Sequence, residues 1–185
     1  MTIEIRHGNI VTDAADCDAI VNAANPRLLG GGGVDGAIHK AAGPELRAYC
    51  KQFPEIEPGV RCPVGSVVWT PAFDLPHKGI IHTVGPMFPD ARSPCYAGEQ
   101  IADNPRKDLR DTLWGCLAMA EFMGWRNVAV PAISCGVYGC DIPTFVEIAK
   151  NVLHEKWDLD KVVFVVFEEP DFALFNASLD VLGGW

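Results

Sequence analysis

Short apolar, β-branched runs alternate along this chain with stretches whose apolar residues recur every three or four positions. The runs Ile3–His7, Ala19–Ala23, Val64–Thr70, Gly79–Val84, Asn127–Ala132 and Val162–Phe167 are bounded by Gly, Pro, Asn or Asp and read as strands. Val162–Phe167 is apolar throughout, the pattern of a strand covered on both faces. Helical spacing predicts helices over Val34–Ala42, Pro44–Gln52, Pro105–Met123, Pro143–Trp157 and Phe172–Leu182. The third of these has clear ends, with Asn104 and Pro105 at its start and Gly124 at its stop. Strand and helix patterns alternating from end to end predict an α/β layered domain over 1–185, with no internal repeat or linker. The stretch Pro86–Asn104, rich in Pro, Gly and small residues, is longer than an ordinary connection and reads as a surface loop.

Charge narrows the range of partners. With 15 Lys+Arg against 24 Asp+Glu the net charge is −9, a field that opposes long nucleic acids and acidic membranes. The seven cysteines are odd in number and form no C-x-x-C pair, which points to a reducing compartment. Met1 leads directly into the strand pattern, without a basic and apolar leader, so a cytoplasmic location is expected.

Two segments carry chemistry. In the first, the strand Ala19–Ala23 runs through Asn25 and Pro26–Leu29 into Gly30–Gly33 and a helix. Successive glycines let backbone N–H groups converge on an anion, and the helix start adds unpaired donors. The same loop also fits a flexible turn. Gly31–Gly36 satisfies G-x-G-x-x-G, yet residues 25–30 separate it from the strand, where the dinucleotide fingerprint would turn at once. In the second segment, Asn127–Ala132 leads through Ile133-Ser134-Cys135-Gly136-Val137-Tyr138-Gly139-Cys140-Asp141 to a helix at Pro143. Ser134 and the amides of Cys135 to Tyr138 suit a diphosphate, with Tyr138 large enough to cover it. Asp35, at a helix start, is more often a cap than a base, but beside a sugar hydroxyl or a water the same carboxylate can accept a proton or orient the water.

The string Val21-Asn22-Ala23-Ala24-Asn25, then Leu28–Gly33, then Val34-Asp35-Gly36-Ala37-Ile38-His39-Lys40-Ala41-Ala42-Gly43, resembles the macro domain of the MacroD type. Ile81-His82-Thr83-Val84-Gly85-Pro86 and Pro131–Gly139 are similar to that family's later motifs, in order, and the likeness spans Ile3 to Phe175. The resemblance implies a three-layer α/β/α fold with a mixed central sheet and an ADP-ribose cleft at the strand ends. It also implies removal of mono-ADP-ribose from acidic side chains of proteins, deacetylation of O-acetyl-ADP-ribose, or both, by a monomer without cofactor or metal. A non-catalytic module that only holds ADP-ribose is the alternative. By motif, Asn25 would hold the distal ribose and Asp35 would position or activate water, although the ligand's own phosphate can share that task. Gly32, Gly33 and Val34 would approach the ribose and its phosphate, and Ser134, Cys135, Gly136, Val137 and Tyr138 would close over the diphosphate. Asn9, Ile10, Asn22 and Phe167 complete the implied ligand contacts.

Some positions depart from the family pattern. Gly8-Asn9-Ile10 stands where the resemblance leads one to expect Gly-Asp-Ile, whose carboxylate accepts from the adenine amino group. Asn9 can accept through its amide oxygen or, rotated, donate, which implies weaker discrimination between adenine and a base with a carbonyl there. Cys135 replaces a common Thr and is a nucleophile only if its thiol pKa is lowered. His39, His82, Cys135 and Cys140 are metal-ligating types, but no C-x-x-C or H-x-x-x-H pair is present and no metal is expected. Phe167 serves either the core or an adenine face.

Overall fold

The computed structural model describes residues 1–92 and 99–185; Cys95 and the middle of the 86–104 connection lie outside them. In chain order the elements are Thr2–His7 (β1), Ala19–Ala23 (β2), Gly33–Ala42 (α1), Pro44–Cys50 (α2), Val67–Thr70 (β3) and Gly79–Thr83 (β4). Pro105–Phe122 (α3), Asn127–Pro131 (β5), Ile142–Leu153 (α4), Lys161–Val166 (β6) and Glu169–Val181 (α5) follow. The strands form one sheet in the order β1-β6-β5-β2-β4-β3. All neighbours run parallel except β3, which pairs antiparallel with β4, so the sheet is mixed.

Alternation along the strands supplies two cores. Val21, Ile81, Val128, Val130, Val162 and Phe164 face α3, α4 and α5, while Ile20, Ile80, Ala129, Val163 and Val165 face α1 and α2. Buried on both faces, the central strands need the continuous apolar runs seen in the sequence, and the result is the expected α/β/α sandwich. Phe145 of α4 is fully buried, edge-on to Phe164 at 5.9 Å and tilted against Phe175 at 6.1 Å between ring centres.

Element ends shift for identifiable reasons. The strand expected from Val64 begins at Val67, because Gly65 has φ +79° and Ser66 N–H donates to Pro63 O in a turn. α4 ends at Leu153 rather than Trp157, whose indole N–H folds back to Val152 O at 3.0 Å. α5 starts at Glu169, ahead of Phe172, with Pro170 in its first turn and Glu169 and Asp171 at the positive end of its dipole. α3 keeps its expected start, where Asn104 Oδ1 accepts from Lys107 N–H. The 86–104 connection is not wholly a surface loop: Met87 and Phe88 are 2% and 7% exposed.

Truncating Phe145 to Ala removes a ring that three elements share. The variant is expected to lose about 3–5 kcal/mol of unfolding free energy in urea denaturation. A loss below about 1 kcal/mol would mean that α4 and α5 collapse into the space.

Candidate active site

The carboxyl ends of β1, β6, β5, β2 and β4 share one edge of the sheet because these strands are parallel. β2 and β5 are neighbours, so the loops that leave them, 24–32 and 132–141, stand side by side at that edge. Between them lies a cavity of about 390 Å³. Its walls include Asn25, Gly32, Gly33, Val34 and Asp35 on one side and Ser134, Gly136, Val137 and Tyr138 on the other.

The first loop is held, not flexible. Asn25 Oδ1 accepts from Arg27 N–H at 3.0 Å, and its Nδ2 donates to Gly30 O at 3.2 Å. Gly36 fixes how closely α1 approaches the loop, since a Cβ there would lie 2.5 Å from Gly31 O. At Gly32 and Gly33 a Cβ would meet nothing within 4 Å, so this backbone lies open. Among the described residues, the N–H groups of Gly32, Gly33 and Val34 donate to no protein acceptor, nor do those of Gly136 and Val137. Two sets of unpaired amides on opposite walls form a cradle for an anion.

Asp35 does not cap α1. The N-cap is Gly32, without a side-chain bond, and Asp35 turns inward to 4% exposure. Its Oδ1 accepts from Asn22 Nδ2 at 2.8 Å and its Oδ2 from Asn25 Nδ2 at 3.3 Å. His39 Nε2, one turn on, lies 3.5 Å from Oδ1 without a hydrogen bond. Burial raises the Asp35 carboxyl from its ordinary 3.8 to about 6, against the opposing pull of Asn22's hydrogen bond. Burial also lowers the pKa of His39, with Arg47 contributing, so its ring is neutral near pH 7. Asp35 is therefore an ionised but comparatively basic carboxylate at neutral pH, set in a cavity wall.

The second loop is braced by the 86–92 segment. Ser134, at φ +66°, donates its hydroxyl to Pro86 O at 2.8 Å. Phe88 N–H donates to Tyr138 O and Arg92 N–H to Val137 O, while Tyr138 Oη donates to Glu99. Arg92 and Glu99 also line the cavity, a pair of charges that motif reading missed because they sit in the featureless long connection.

Other expected contacts move off the cavity. Asn22 is fully buried behind Asp35, so it supports the carboxylate and cannot touch a ligand. Ile10 is 4% exposed and belongs to the α1/α2 core. The Cys135 thiol bonds to Ile133 O, and contact with Cys140 and burial push its pKa well up, which removes the nucleophile reading. Ser134 stays in the cavity wall, but its hydroxyl proton is committed to Pro86, which leaves its oxygen as an acceptor. Phe167 is 67% exposed at the end of β6 and so is not core, but neither it nor Asn9 lines this cavity. Asn9 Oδ1 accepts from Val11 N–H at 3.0 Å, which turns Nδ2 away from that turn. Among the described residues no three His, Cys, Asp or Glu side chains converge as a metal site.

Fold and site together define an α/β domain built to hold a small anionic ligand at the carboxyl edge of its sheet. The chain belongs to the macro domain family, whose model matches residues 21–149. It is 41% identical over 183 residues to a macro domain-containing protein of Xanthomonas campestris, covering 97% of this chain and 96% of that one. It is 42% identical over 180 residues to the O-acetyl-ADP-ribose deacetylase of Klebsiella pneumoniae, covering 95% of each. Among solved structures, the Oceanobacillus iheyensis macrodomain with ADP superposes at TM-score 0.84 with 36% identity, over 97% of this chain and 90% of that one. The Trypanosoma brucei macrodomain in complex with ADP-ribose gives 0.75 and 31%, over 96% and 68%.

The raised carboxyl pKa makes a thermodynamic prediction. Folded Asp35 binds its proton more tightly than unfolded Asp35, so this group favours the folded state at low pH. That contribution is lost as pH rises from 3.8 through about 6. Between pH 4 and pH 7 the stability of Asp35→Ala relative to wild type should improve by roughly 2 kcal/mol in urea denaturation. A pH-independent difference would mean that Asp35 is solvated.

Proposed function

We propose that the protein binds ADP-ribose in this cavity and hydrolyses esters at its distal ribose, releasing acetate from O-acetyl-ADP-ribose and mono-ADP-ribose from acidic side chains of proteins. The observation that carries the reading is Asp35: a buried carboxylate, held by two side-chain amides, in the wall between two amide cradles. The deacetylase name borne by relatives that match 95% of the chain supports it. The six free cysteines among the described residues support a reducing compartment such as the cytoplasm.

The diphosphate lies against the N–H groups of Gly136 and Val137 and the opposing loop, whose donors need no reorganisation when the ligand arrives. Gly32 and Gly33 admit the distal ribose closely because neither carries a Cβ. Asn25, itself fixed by Arg27 and Gly30, holds that ribose in register with Asp35. Asp35 accepts a hydrogen bond from water and takes its proton as the water attacks the ester. With a pKa of about 6 the carboxylate is ionised at pH 7 and still basic enough for this transfer. For O-acetyl-ADP-ribose the acyl C–O bond breaks, acetate leaves and the ribose oxygen receives the proton. On a modified protein, water adds to the anomeric carbon and the side-chain carboxylate leaves.

The test pairs turnover with binding. Wild type should consume O-acetyl-ADP-ribose and an Asp/Glu-ADP-ribosylated protein, while Asp35→Ala loses roughly 10²- to 10⁴-fold in kcat and keeps ADP-ribose affinity within a few-fold. Binding without turnover by wild type would make the protein a reader, and full turnover by Asp35→Ala would remove Asp35 from the chemistry.

Asn9 bears on base preference. Its Oδ1 accepts from Val11 N–H and keeps a second lone pair, while Nδ2 is a donor, so the side chain suits a base carbonyl as well as the adenine amino group. Asn9→Asp should shift the affinity ratio of ADP-ribose to its guanine analogue roughly tenfold toward adenine in calorimetric titrations. The same ratio in both proteins would place the base elsewhere.

A further inference from the structure

Asn22 presents a puzzle. It is fully buried, and among the described residues its Oδ1 has no hydrogen-bond partner, an arrangement that buried amides avoid. Rotating the amide would move that oxygen, yet both of its neighbours forbid it. Asp35 Oδ1, at 2.8 Å, is a carboxylate oxygen that can only accept while ionised. His82 Nδ1, at 3.1 Å, must therefore also accept, because the Asn22 nitrogen lies between the two.

The state of the His82 ring follows from its other side. Thr70 has one hydroxyl proton and gives it to Pro71 O at 3.0 Å. Its oxygen, 3.0 Å from His82 Nε2, can then only accept, so His82 carries its proton on Nε2 and a lone pair on Nδ1. Both Thr70 and His82 are fully buried, on neighbouring antiparallel strands. Burial, with a contribution from His39, pushes the ring's pKa down to about 3, so it stays neutral. A directed chain results: the Thr70 hydroxyl fixes the His82 tautomer, the tautomer fixes the Asn22 amide, and the amide faces Asp35 as a donor.

We propose that Thr70 and His82 are positioning residues that act on Asp35 through Asn22, locking its amide as a donor and so setting the pH at which Asp35 ionises. Without the Thr70 oxygen, the buried Nε2–H has no acceptor and the ring favours the Nδ1–H tautomer. Asn22 then turns to offer Oδ1 to that proton, and the same turn sets Oδ1 against Asp35. Two facing acceptor oxygens need a proton between them, so Asp35 holds its own to higher pH. Other groups around Asp35 are His39 on its own helix, Cys50 of α2, and Arg47 and Arg61, which act on His39 and Cys50 respectively. Among the described residues, Thr70 Oγ1 bonds only Pro71 O and His82 Nε2, so its substitution reaches Asp35 through the His82 ring.

The inference rests on the proposed role of Asp35 only where turnover is the readout, so the test uses two. The first follows the Asp35 side-chain carboxyl by carbon-13 NMR titration in the unliganded protein, and the second takes the acid limb of the pH–kcat profile for O-acetyl-ADP-ribose. Thr70→Val should raise both midpoints by about one unit, the loss of one hydrogen bond to the charged form. Thr70→Ser, which keeps the hydroxyl, should restore the wild-type midpoints in both. A folded Thr70→Val with an unmoved carboxyl titration overturns the lock. If the carboxyl midpoint moves in a protein without turnover, the lock stands and the hydrolase reading fails. The tautomer is read independently in wild type by nitrogen-15 NMR of the imidazole: protonation on Nε2 is expected, and protonation on Nδ1 overturns the proposal even if Thr70→Val does not fold.

Discussion

A carboxylate kept out of water imposes conditions on everything near it. Raising the Asp35 pKa from 3.8 to about 6 corresponds to roughly 3 kcal/mol against the ionised form, so the surrounding chain must supply donors from fixed positions. Those donors come from β2 and from the loop beyond it, while the carboxylate rides on α1. Strand, loop and helix are thereby held in one relation, and Asn25 extends the constraint by gripping Arg27 N–H and Gly30 O with the same amide group that supports Asp35. The glycine run keeps its shape because a side chain spans it, and glycine's freedom is used only for φ values such as +84° at Gly30 and +56° at Gly33.

An anion site in a chain of net charge −9 follows from the distances involved. The net field is long-ranged and screened by salt, whereas an N–H group or a helix start acts within one turn. The unpaired amides of Gly32 to Val34, with the start of α1 behind them, face the amides of Gly136 and Val137. Among the described residues, Arg92 is the one cation lining the cavity, and the carboxylates Asp35 and Glu99 line it too. The sign of the whole protein thus says little about a small dianion and a good deal about a long polyanion.

What the sequence makes legible is what depends on neighbours in the chain. Apolar runs locate all six strands, and the cap at Asn104 stands where its side-chain chemistry places it. Asp35 was ambiguous for the same reason: helix-start preference is local, while the bond from Asn22 crosses 13 residues and the chain through His82 crosses 60. Family motifs name Asn22, but they do not say whether it faces the ligand or stands behind Asp35. Arg92 and Glu99 carry no periodicity or motif, and only the fold brings them to the cavity. Cys135 illustrates the reverse case, where a reactive residue type is made inert by contacts with Cys140 and Ile133 O that no spacing rule contains.

The path of residues 86–92 follows from strand order. β4 lies beside β2, and β5 lies on the far side of β2, so a chain leaving β4 must pass over the carboxyl end of β2 to brace the loop that follows β5. It does so through backbone pairing, Phe88 N–H to Tyr138 O and Arg92 N–H to Val137 O, and through Ser134 Oγ to Pro86 O. Contact is close enough that a Cβ at Gly139 would collide with the backbone of Asp90 and Ala91, and one at Gly85 with the Ser134 side chain. A short connection would satisfy the sheet but leave the 132–141 loop without a wall. Residues 86–92 are thus the part of the 86–104 connection that fixes the second half of the cradle opposite Asp35.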